Sequence, residues 1–130
     1  MHKKYLELFR ELTRATAIAA EQVMDYDYEK NDNKGFETAK TMRDDFEALH
    51  EKLAAESFDG NLTKAEYAKL LVGCYVIIGN LQDRMEALKK AIAGYQGDLV
   101  PRLSKVIEAE TDEAAQQIAE EQFTIEEANT

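Results

Sequence analysis

Ala39, Met42, Phe46, Leu49 and Leu53 follow one another at steps of three and four without a miss. That spacing places side chains on one face of an α-helix. The same rhythm marks the N-terminal stretch, through Tyr5, Leu8, Phe9, Leu12, Ala15, Ala19, Val23 and Tyr26. It returns from Tyr67 through Leu70, Leu71, Cys74, Ile77, Ile78, Leu81, Met85, Leu88, Ile92 and Tyr95. A single proline in 130 residues, Pro101, leaves few points at which such helices must break. The expectation is an all-α fold: an antiparallel up-down bundle of three long helices plus a shorter C-terminal helix. The bundle is expected over residues 1–110. Residues 111–130 read as an acidic C-terminal tail, a marginal helix or disordered.

Local signals set the predicted boundaries. The first helix is expected over Lys3–Lys30 and ends at the polar turn Asn31–Gly35, whose glycine is free to take a positive φ. The second follows to Ser57, and Phe58–Asn61 is the next turn. The third has the clearest start. Thr63 and Glu66 have capping-box spacing, and Leu62 can staple onto Tyr67. Its stripe predicts one helix from Lys64 to Ala93, about 45 Å long, with Ile78 and Leu81 in the core. Gly94 and Gly97 are the expected terminators, Asp98 a cap, and Pro101 a first-turn residue of the last helix. Leu99, Val100, Leu103, Val106 and Ile107 give that helix two apolar turns.

Charge is unevenly placed. The net charge is -10, yet all sixteen Lys and Arg lie at or before Lys105. The part through Lys105 has 18 of the 26 acids against those 16 bases, and the last 25 residues hold the other eight acids with no base. The small basic groups, such as Lys3-Lys4 and Lys89-Lys90, each have acids nearby, so the field repels phosphate and no nucleic-acid partner is expected. The longest apolar run, Leu70–Ile78, is about half of what a bilayer crossing needs, so no membrane insertion is expected. The N-terminal residues alternate charge with apolar side chains, unlike a secretory leader. The expected location is the cytoplasm. Cys74, alone and inside an apolar run, reads as a small buried hydrophobe.

Motifs for chemistry are sparse. Glu47-Ala-Leu-His50 has the Glu-x-x-His spacing of di-iron bundles, but such sites need two of these steps and only one occurs. Asp25, Asp27, Glu29, Asn31 and Asn33 match a calcium loop in oxygen count. The sixth and twelfth positions of that loop are Lys30 and Phe36, where Gly and Glu are required. Two histidines, His2 and His50, and a core cysteine give nucleophilic catalysis little to work with. No catalytic residue, cofactor or metal is expected.

What remains is surface. The run Leu70–Ile78 is apolar on every face, so the helix carrying it must be central, or else its outer side meets another chain. The tail combines acids with a thin apolar stripe. The expected protein interface is therefore Val72, Tyr75, Val76, Ile118, Phe123 and Ile125. The expected function is non-enzymatic binding of a protein partner, by an adaptor, regulator or immunity-type neutralising protein, with a homodimer among the options. The alternative is a carboxylate/histidine metal-binding bundle enzyme built on Glu47 and His50.

Overall fold

The computed structural model describes residues 1–94 and 99–123. Among these, every regular element is helical. Two helices are long, α1 (Lys3–Glu29) and α2 (Asn33–Ala54). Four are shorter: α3 (Lys64–Ile78), α4 (Glu86–Gly94), α5 (Leu99–Ile107) and α6 (Asp112–Phe123). A 3₁₀ turn, Asp83–Met85, leads into α4. Tyr95, Gly97, Asp98 and Ile125 lie outside the described residues.

α1 and α2 form an antiparallel hairpin. Arg10 meets Leu53, Thr13 meets His50 and Glu21 meets Arg43, so residue numbers fall along one helix as they rise along the other. The tight turn requires a left-handed residue, and Asn31 supplies it with φ 58°. Asp32 then caps α2, its carboxylate accepting from the Gly35 amide at 2.9 Å. Gly35, expected in the turn, instead lies inside the first turn of α2.

α3 starts as predicted. The Thr63 hydroxyl accepts from the Glu66 amide at 3.1 Å, and the Glu66 carboxylate accepts from the Thr63 amide at 2.8 Å. Leu62 and Tyr67 are both buried beside this cap. Its end differs by fifteen residues from the predicted Ala93. Gly79 closes the helix by donating to the Tyr75 carbonyl at 3.0 Å, and the Asn80 side chain accepts from the Gln82 amide at 2.9 Å. That local bond offers the backbone an alternative to the helical ladder. Leu81 is consequently 89% exposed rather than in the core, and Ile78 is 47% exposed. The stripe resumes only after the turn, where Met85, Leu88 and Ile92 return to the interior. The expected third long helix is thus two helices with a corner between them.

At the C-terminal end, residues 112–123, within the expected acidic tail (a marginal helix or disordered), form α6 and pack on the body. Ala115, Ala119 and Phe123 are buried. Phe123 sits among three rings, with centroids 5.0 Å from Tyr5, 5.2 Å from Phe9 and 6.2 Å from Tyr67. The first two contacts are edge-to-face and the third is stacked. Polar contacts hold the same helix at both ends. Asp112 accepts from the Lys64 amide at 2.9 Å, which adds a second acceptor at the start of α3. The Phe123 carbonyl accepts from the His2 amide at 2.7 Å, and Arg102 donates to the Gln122 carbonyl at 2.8 Å.

Two expectations follow for stability. Phe123→Ala should cost about 3–5 kcal/mol, whereas Leu81→Ala should change stability by less than about 0.5 kcal/mol. Urea denaturation of both variants checks this, and equal losses would refute the placement of both residues. The second expectation concerns pH. Burial alone would raise the Glu66 pKa, but the Lys52 ammonium at 2.7 Å and the Thr63 amide outweigh it, and the net shift is downward. A folded-state pKa below the unfolded one adds stability above the usual carboxylate range, and that stability is lost as pH falls through the folded value. Glu66→Gln should therefore lower the melting temperature near neutral pH, with the deficit shrinking in acid. A deficit that stays constant across the acid range would remove Glu66 from the linkage.

Candidate functional site

The hairpin outlasts the helix laid against it. α1 has 27 residues and α3 has 15, or about 40 Å against about 22 Å. Contact between them centres on Gly73. A Cβ there would lie 3.2 Å from a Phe46 ring carbon, 3.2 Å from the Thr16 hydroxyl and 3.4 Å from Leu12. A Cβ would fit there only if Phe46 or Thr16 gave way by a few tenths of an ångström, so the glycine favours this close approach to both helices. One turn later Val76 still faces the hairpin, and then the chain turns away at Gly79.

Beyond that corner the seam between α1 and α2 is uncovered. It forms an open cleft of about 790 Å³. Its floor is Ala19, Ala20 and Val23 from α1 with Ala39 and Met42 from α2, and Val76 forms one wall. Gln82 closes the near end, donating to the Gln22 side chain at 2.8 Å. At the far end lie Asp27, Asp32 and Lys34. A Cβ built on Gly35 would be 2.6 Å from an oxygen of each aspartate, so the two carboxylates converge over the bare glycine. Twice 2.6 Å puts those two oxygens no more than about 5.2 Å apart. Among the described residues, neither Asp27 nor Asp32 is ion-paired. Arg43 is engaged elsewhere, with Asp44 at 3.0 Å, Glu47 at 3.9 Å and Glu21 at 4.0 Å. The hydrogen bond to Asp44 is the main reason its pKa is raised.

The expected interface residues do not all share this region. Val72 and Tyr75 lie on the outer side of α3 and are 45% and 59% exposed. Val76 is half-buried in the cleft wall, one helical turn after Val72, so the two join the cleft to the outer face. α3 is therefore not wrapped on all sides. Ile118 is half-buried against the core and Phe123 is within it, and α6 closes the bundle over Tyr5, Phe9 and Tyr67 rather than over Val72 and Val76. Val23 and Tyr26, expected in the α1 core stripe, are 49% and 61% exposed. A third helix continued past Gly79, as the stripe predicts, would cover this seam, so the cleft is not legible from periodicity. The dipeptide Gly79-Asn80 was the available signal.

Glu47 and His50 have other engagements. His50 Nδ1 is 3.0 Å from the Arg10 carbonyl and 3.2 Å from the Thr13 hydroxyl. Glu47 leans toward Arg43. Among the described residues, no three His, Cys, Asp or Glu side chains are grouped to hold a metal. Cys74 is fully buried. No described helix is long and apolar enough to cross a membrane. Compared with family models, curated proteins and solved structures, the chain matches none.

The close approach at Gly73 yields an expectation. Gly73→Val should cost about 1–3 kcal/mol by overpacking against Phe46 and Thr16. The exposed substitutions Val72→Ser and Tyr75→Ser should each stay within about 0.5 kcal/mol of wild type. Thermal melts of the three variants test the crossing point. A stable Gly73→Val protein would mean that α3 sits farther from the hairpin.

Proposed function

We propose that the chain is a non-enzymatic binding protein that holds another protein through the outer face of α3 and the adjoining cleft. An adaptor, regulator or neutralising protein would work this way. The reading rests on one observation: Val72 and Tyr75 are exposed on the outside of α3, and Val76, one turn after Val72, lines the open hairpin seam together with exposed Val23. Scattered exposed apolar residues are ordinary, but a contiguous strip beside a concave seam is the form taken by interaction sites. The net charge of -10 disfavours a nucleic-acid partner by the same electrostatics that would favour a basic protein.

The test is affinity capture with tagged wild type and a Val72→Ser/Tyr75→Ser double variant, whose fold is checked by its melt. A partner held by wild type and lost by the variant supports the reading. Identical captures from both proteins would overturn it.

A further inference from the structure

The open seam has the shape left by a missing helix. α3 lies along the hairpin as far as Val76, and its line is broken at Gly79 while α1 continues to Glu29. The uncovered floor from Ala19 to Asp27 is nine residues of α1, about 12 Å or two helical turns. Two packed helices present a straight groove of the kind a third helix enters by ridge-and-groove packing. Its floor is made of small and flexible apolar side chains, which let a helix backbone approach closely and adapt to the side chains it brings.

Charge selects among occupants. Residues 21–37, the outer part of the hairpin, hold six acids (Glu21, Asp25, Asp27, Glu29, Asp32 and Glu37) against Lys30 and Lys34, a net of -4. At this end of the apolar floor the Asp27 and Asp32 carboxylates converge and neither is ion-paired, with Lys34 lining the same cleft. A planar guanidinium can bridge two such oxygens with parallel hydrogen bonds, and an ammonium can sit between them. A second copy of this chain is a poor occupant. A symmetric contact places each patch against its twin, which would bring two acidic hairpin ends together.

We infer that the groove receives a short amphipathic helix of a basic protein partner. The apolar side of that helix lies on Val23, Met42 and Val76, and one of its arginines or lysines reaches Asp27 and Asp32. This rests on the binding role proposed above and names the chemistry of what is bound.

The experiment uses the full chain and two labelled model peptides. One is an amphipathic Leu/Arg helix and the other a Leu/Glu helix of the same spacing. Binding is followed by fluorescence anisotropy and located by amide chemical shifts. The Leu/Arg peptide should bind, shift the amides of Val23, Met42 and Val76, and outcompete the Leu/Glu peptide by about tenfold or more. An Asp27→Asn/Asp32→Asn double variant should weaken it by about tenfold. Asn at position 32 still caps α2, so the fold is kept. Unchanged affinity in that variant, or equal binding of both peptides, would overturn the inference. So would shifts confined to Val72 and Tyr75, although that outcome leaves the broader binding role standing. If neither peptide binds, the inference fails, and sedimentation showing a dimer would then assign the groove to a second copy.

Discussion

The close packing of α3 against the hairpin at Gly73 is the contact on which the rest of the arrangement depends. It brings backbone within side-chain distance of Leu12, Thr16 and Phe46 at once. α3 thereby becomes the element that α1, α4, α5 and α6 all touch. A bulky residue there would press on Phe46 and Thr16 and strain the packing of the buried side of α3, Tyr67, Leu70, Cys74 and Ile77. The same contact decides where the seam is covered and where it is open. The cleft is a consequence of how far α3 runs after its crossing point.

A second constraint closes the opposite end of the molecule. Phe123 joins Tyr5 and Phe9 of α1 to Tyr67 of α3, so the last described turn of the chain packs against the first. Burial of aromatic rings in such geometry contributes more than area alone. The helix ends around this cluster are satisfied by groups far away in sequence. Lys64 donates to Asp112, His2 to Phe123 and Arg102 to Gln122. Free amides and carbonyls at helix termini need partners, and here tertiary contacts supply them. The acids of α6 are compatible with packing because several stand at its exposed positions or at a helix start, where negative charge is favoured.

The two ends of the hairpin therefore have different surroundings. Near Tyr5 and Leu53 it is packed against α3, α4 and Phe123 of α6, with apolar side chains at low exposure. Past Ala20 it stands free, with Met24 and Ala39 as the buried residues between Glu21 and Thr41. Stability is concentrated in the first part. The second contributes a surface, apolar along the seam and acidic at its end.

Sequence by itself determined the helices and several of their ends. The steps of three and four in Ala39–Leu53, the Thr63–Glu66 capping box and the polar turn at Asn31–Asp32 act between near neighbours, so their physics is complete within a few residues. It did not determine which apolar residues are inside. Leu81 and Phe123 are both large hydrophobes at helix-compatible spacing, yet one is 89% exposed and the other 1%. The first lost its place because Gly79 and Asn80 turn the backbone before the stripe can continue. The second gained one because Tyr5, Phe9 and Tyr67, over fifty residues distant, leave a space of its shape. Burial depends on what lies opposite a side chain. The tertiary structure alone decided that, and with it the open seam between α1 and α2.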